Sequence, residues 1–170
     1  VLHRSGIPAI YVTHDQAEAF AIADRLVLLH LGKVAQSGTP EEIYRNPASA
    51  WAAQFLGLGT LLPGTMDTGL RSVQTDLGIF HSACSIPSQG GTLQLLVRPS
   101  AASLQPVDGD INRLSGQVSD TVFRGEHFRV QLTCAGGVNF EFDLPQAVTP
   151  GELLTVWLRP DAIQCLQGEA

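Results

Sequence analysis

The sequence predicts an α/β segment followed by an all-β barrel or half-barrel, and three observations carry this. Up to about residue 58, short apolar runs alternate with strong helix starts. Beyond it the chain becomes turn-rich and β-prone, with a hairpin whose residues alternate between oily and wet. Finally, the stretch GGTLQLLVRP at 90–99 is echoed by GELLTVWLRP at 151–160. Two strands stopped by Arg-Pro are expected in comparable positions of one small barrel, because a repeat this short builds no solenoid.

Taken in order, residues 9–12 (AIYV) read as a buried parallel strand, since a continuous apolar run suits the middle of a sheet covered on both faces. Asp15 is placed to cap a helix over 16–25, with Glu18 reaching back to the first free amides. Residues 26–29 (LVLL) read as a second buried strand, 31–33 as a turn, and 34–36 as the return strand. Thr39, Pro40 and Glu42 spell a capping box with proline at the first helical position. Asn46-Pro47 repeats the device, and Trp51 and Phe55, four apart, mark the buried stripe of the next helix. In the β-part, Phe128, Val130, Leu132 and Cys134 alternate with polar residues up to Gly136-Gly137. Beyond that turn Val138, Phe140, Phe142 and Leu144 alternate with Asn139, Glu141 and Asp143.

Composition narrows the function classes. The net charge is -6 with 44% hydrophobic residues, and Lys33 is the single lysine. Scattered arginines on an acidic chain exclude the concentrated basic patch that nucleic acid or an anionic membrane requires. The apolar runs fall well short of the roughly 20 residues needed to cross a bilayer. Three cysteines, Cys84, Cys134 and Cys165, lie far apart with no metal-ligand spacing. They read as reduced thiols, and no metal site is expected.

Read together, YVTHDQAEA at 11–19, ADRL at 23–26, Gly32-Lys33, GTPEEIY at 38–44, Pro47 and FLG at 55–57 resemble the end of the nucleotide-binding domain of an ATP-binding cassette (ABC) importer ATPase. Residues 59–170, with their Arg-Pro strands and GQVSD at 116–120, resemble the TOBE regulatory domain that follows it, an oligonucleotide/oligosaccharide-binding-like (OB-like) fold. The resemblance implies two domains, 1–58 as an α/β remnant of a P-loop ATPase domain and 59–170 as a TOBE-like barrel or half-barrel. It assigns His14 to the switch loop, contacting the γ-phosphate of ATP, and makes ATP and Mg the cofactors of the intact subunit. Phosphoryl transfer depends mainly on positioning and charge stabilisation, and an imidazole donor at a strand tip can give a hydrogen bond to a γ-phosphate oxygen.

The partners implied are permease subunits and a second copy of the same chain. The location implied is the cytoplasmic face of the cell membrane, reached only through the permease. Ferric iron or polyamine is the cargo that general similarity favours. The chain contains no G-x-x-x-x-G-K-S/T, no LSGGQ signature and no Walker B strand. It is therefore expected to be the C-terminal part of a longer ATPase, starting in the helix before the switch strand. It is expected to be inactive by itself, with no cofactor of its own. LSGQ at 114–117 opens a β-strand instead, and Thr60 stands where the family commonly has Asn.

A rival reading makes the β-part a sensor of a small oxyanion such as molybdate or sulfate, giving feedback control. Arg98 and Arg159 would then be its anion-binding residues, through their planar forks of donors. Strands cut from their sheet neighbours also predict self-association through exposed apolar edges.

Overall fold

The computed structural model describes residues 8–67, 72–82, 93–106 and 112–167. The helix expected before residue 9, Cys84 and the first residues of the 90–99 stretch lie outside them. The chain divides into two compact units, Val1–Asn46 and Pro47–Ala170.

In the first unit, helix α1 (Gln16–Ile22) starts at Asp15, whose carboxylate accepts from the Glu18 amide at 3.0 Å. Strands β1 (Leu26–His30) and β2 (Lys33–Gly38) form an antiparallel hairpin, with positive φ at Leu31 and Gly32 making the turn. Helix α2 (Pro40–Arg45) begins with the full capping box. Thr39 Oγ1 accepts from the Glu42 amide, and the Glu42 carboxylate accepts from the Thr39 amide.

Three expectations fail here. Residues 9–12 form no strand and are exposed, Ile10 at 97% and Val12 at 88%. A buried parallel strand needs neighbours on both sides, and among the described residues none pairs with this run. Strand β1 is only half buried: Leu28 faces inward, while Val27 and Leu29 share an exposed face with Val34 of β2. Helix α1 also stops earlier than expected, at Ile22.

The second unit opens with helix α3 (Ala50–Phe55), capped by Ser49 rather than by Asn46. Its buried side is made of Ala50, Ala52 and Ala53, whose small side chains let the helix approach closely. Trp51 and Phe55 do stack, with ring centroids 4.9 Å apart, but Phe55 is exposed and the pair is not the core stripe expected.

The β-part follows: β3 (Thr60–Asp67), β4 (Ser72–Thr75), β5 (Gly78–His81), β6 (Leu93–Val97), β7 (Ala102–Ser103), β8 (Arg113–Phe123), β9 (Phe128–Cys134), β10 (Asn139–Leu144), β11 (Leu153–Leu158) and β12 (Ile163–Gln167). They build two five-stranded antiparallel sheets, in the orders β12-β6-β3-β4-β5 and β7-β11-β8-β9-β10. The hairpin β9–β10 has the alternation that the sequence predicts. Val130, Leu132, Phe140, Phe142 and Leu144 are fully buried, and Gly136 and Gly137 at positive φ turn the chain. LSGQ opens β8, as expected.

The two orders are the same order written twice, with the last strands exchanged. Strand β7, which follows β6, pairs with β11, and β12, which follows β11, pairs with β6. Register repeats as well. Leu62 faces Leu95 as Leu114 faces Val156, and Val97 faces Ile163 as Leu158 faces Ala102. Phe80 beside Val73 matches Phe140 beside Leu132, all four fully buried. The echoing Arg-Pro strands thus sit in equivalent places of two repeated halves. Both sheets drain into one core, running from Leu62 and Phe80 through Leu132, Phe140 and Phe142 to Leu158 and Ile163. Each such fully buried side chain contributes about 1.5–3 kcal/mol.

Candidate functional site

His14 sits at a bend before α1 with its side chain exposed. The residues around it hold one another. Tyr11 Oη and Thr13 Oγ1 both donate to Glu18 Oε2, at 3.0 and 3.3 Å, and the Asp15 amide donates to Thr13 Oγ1 at 3.0 Å. Glu18 therefore turns back to Tyr11 and Thr13, not to the helix amides that the sequence suggested. Its carboxylate pushes the Tyr11 hydroxyl up from its ordinary value, through the hydrogen bond first and its charge second. Among the described residues no hydrogen bond reaches the His14 imidazole, so the loop presents it outward on a braced turn. Lys33 starts β2, exposed, and no group of three metal-ligating side chains occurs among the described residues.

Arg98 and Arg159 occupy equivalent corners of the duplicated unit. Each carbonyl accepts from the amide three residues on, Ala101 and Ala162, both at 3.0 Å. Arg98 Nη2 donates to Gln164 Oε1 at 3.1 Å, tying its corner to the exchanged strand β12, while the Arg159 side chain is exposed. Two grooves open on this unit, and neither is lined by these arginines. One, of about 480 Å³, lies along α3 between Trp51, Gln54, Leu61 and Gln94. The other, of about 420 Å³, runs from Gly59 and Thr60 past Pro99 to Asn139, Glu141, Gln131 and Arg129.

The second groove borders a polar ladder on the outer face of β9 and β10. Arg129 donates to Asp143 through Nε at 2.8 Å and Nη2 at 3.3 Å, and reaches Glu141 at 3.4 Å. His127 Nε2 lies 3.3 Å from Asp143, Gln131 donates to Glu141, and Thr133 donates to Asn139. Asp143 holds the Arg129 guanidinium above its ordinary value, with Glu141 adding to the effect. This cation is already matched by two carboxylates, so the ladder is no anion trap. Its members could have been found in the sequence: the Gly136-Gly137 turn fixes the register that sets each polar residue opposite the next. Asn112, a buried cross-sheet clip, carries no sequence signal at all.

Comparison with known proteins then decides the second unit. The TOBE domain family matches residues 95–166. Residues 95–166 are a TOBE domain.

The whole chain is related to the ATP-binding subunits of ABC importers. It is 34% identical to a sulfate/thiosulfate import ATP-binding protein of Chromobacterium violaceum, over 98% of this chain and 48% of that protein. It is 34% identical to an Fe(3+) ions import ATP-binding protein of Brucella abortus, over 82% of this chain and 40% of that protein. A spermidine/putrescine import ATP-binding protein of Bacteroides thetaiotaomicron is 33% identical, over 79% of this chain and 29% of that protein. The chain thus spans less than half the length of each of these three relatives. Among solved structures, the molybdate-binding protein ModG superposes with a TM-score of 0.52 at 12% identity, covering 64% of this chain and 95% of its own. That likeness concerns the fold alone. No helix of the described residues is long and apolar enough to cross a membrane.

Proposed function

We propose that this chain is the regulatory, C-terminal portion of the ATP-binding subunit of a solute importer. In the intact subunit ATP hydrolysis drives uptake through a permease at the cytoplasmic face of the membrane. The observation that carries this reading is that similarity to the Chromobacterium violaceum subunit runs across both units, α/β segment and β-part in one alignment. Residues 1–58 are then the end of the nucleotide-binding domain and 59–170 its regulatory domain, which supports pairing of two subunits. His14, outward on its braced turn, serves as the switch histidine toward the γ-phosphate when the rest of the ATPase and Mg are present. The apolar face of Val27, Leu29 and Val34 is the surface that would pack within the larger domain. The names of the relatives span ferric iron, sulfate and polyamine, so the cargo is one of the small solutes of this importer class.

A chimera tests this. The chain is joined to the catalytic half of the Chromobacterium violaceum subunit in place of that protein's own matching segment. The chimera is expected to hydrolyse Mg-ATP, and His14→Ala to lower turnover at least a hundredfold with ATP binding retained, while the chain alone turns over nothing. Full activity in the His14→Ala chimera would overturn the role of that residue.

The oxyanion-sensing alternative draws its support from the matched corners of Arg98 and Arg159. Calorimetric titration with molybdate and sulfate examines it: saturable heat that disappears in Arg159→Ala would establish it, and absence of heat would leave the domain as a pairing element.

A further inference from the structure

Duplication gives each position of one copy a counterpart in the other, and one pair of counterparts is chemically unequal. Asn112 precedes β8 in a left-handed conformation, φ 58, and its carbonyl accepts from the Leu158 amide at 3.0 Å. Its carboxamide crosses to the other sheet. The His81 amide donates to Oδ1 at 2.6 Å, and Nδ2 donates back to the His81 carbonyl at 2.7 Å and to the Leu158 carbonyl at 3.2 Å. One primary amide thus satisfies both main-chain groups of one residue on the outer edge of β5.

In the first copy Val97 corresponds to Leu158, and the residue facing Val97 is Thr60. Glu141 corresponds to His81, because each follows the matched Phe140 or Phe80. Thr60 is too short to repeat the clip, and its hydroxyl donates instead to the Asn139 carbonyl at 3.2 Å. What remains is the groove of about 420 Å³ bounded by Gly59, Thr60, Pro99, Asn139, Phe140 and Glu141. The main chain of Glu141 points into the open side. Cys134 and Val138 form a hydrogen-bonded pair, so by alternation the Gln131–Glu141 pair is a non-bonded one, with its N–H and C=O directed away from β9. Among the described residues no cross-sheet hydrogen bond reaches these two groups.

We propose that this groove binds a primary carboxamide, which takes at Glu141 the place that Asn112 takes at His81. The chemistry is narrow. The site needs a donor and an acceptor side by side, which a primary amide offers. A trans peptide group sets its N–H and C=O on opposite sides, and a carboxylate has no donor. The amide is the side chain of an asparagine or glutamine on a partner polypeptide, or a free small amide.

Nitrogen-15 NMR of the whole chain tests it. Acetamide and N-acetylasparagine amide are expected to shift the Glu141 and Asn139 amide signals saturably, while N-methylacetamide and acetate leave them in place. A tighter response to the asparagine derivative points to a polypeptide source, and an equal response to a free amide. Thr60→Asn is expected to weaken acetamide binding at least tenfold and to raise the thermal midpoint, because the introduced side chain fills the groove and closes the clip. Thr60→Gln fills the same space should the asparagine variant not fold. Failure of any amide to shift Glu141, an equal shift from N-methylacetamide, or unchanged binding in the filled-groove variants would overturn the proposal.

Discussion

At the scale of single residues, Asn112 and Cys134 show how much of the second unit rests on the surroundings of individual side chains. Asn112→Gly keeps a backbone able to adopt φ 58 but removes the carboxamide, leaving the His81 amide and carbonyl without their partner. A buried polar group left unmet costs about 1–3 kcal/mol. The variant is therefore expected to lose at least about 2 kcal/mol in urea unfolding, and a loss near zero would mean that water replaces the clip. Cys134 acts through protonation. Burial pushes its thiol up to about 11, whereas an unfolded thiol titrates near about 8.5. Between those values the unfolded chain gives up this proton first, so the folded state binds more protons and stability falls as pH rises. The contribution is complete below pH about 8.5 and is lost toward about 11. Urea midpoints measured from pH 8 to 11 should fall more steeply in the native chain than in Cys134→Ala.

At the scale of elements, what the sequence disclosed was what short-range chemistry decides. The capping box of α2 is written in four adjacent letters, and its two reciprocal bonds form as those letters predict. Thr39→Ala is expected to cost about 1 kcal/mol and to speed hydrogen exchange at the Glu42 amide. The Thr39 amide holds the Glu42 carboxyl below its ordinary value, so that bond contributes above pH about 4.3 and weakens as pH falls beneath it. Exchange at the Thr39 amide should accelerate on acidification relative to the intrinsic rate, and a flat ratio would show that the bond does not form in solution. Elements that depend on distant partners do not follow from local letters. Residues 9–12 have the letters of a buried strand, yet no local rule supplies the neighbours that would bury them. Trp51 and Phe55 have helical spacing, yet alanines form the buried side of α3. At the candidate sites the same division holds. His14 and the two Arg-Pro corners were legible as motifs, whereas the Thr60 groove exists only because strands far apart in sequence meet there.

At the scale of the whole molecule, the exchanged strands decide how the second unit can fold. The echo in the sequence covers only β6 and β11, because the other strands kept burial and register rather than letters: Val73 answers Leu132, and Met66 answers Val118. The full duplication becomes visible only in the pairing. Its consequence is that neither copy is complete alone. Strand β7 must pair with β11 and β12 with β6, and both copies feed one core, so each half lacks a strand and one wall of its apolar interior. Separate peptides covering 59–106 and 107–170 are therefore expected not to fold as monomers, since each exposes an apolar sheet face with nothing to cover it. Mixed in equal amounts they should associate, each returning the exchanged strand to its partner. Trp157 is the one tryptophan in the later peptide, and in the intact unit it faces Ser103 on β7. Its fluorescence should change on mixing, and the complex should melt in a single transition because the core is shared. A cooperative, concentration-independent melt from either peptide alone would show instead that a copy can close on its own exchanged strand, and the halves would then be two domains in series.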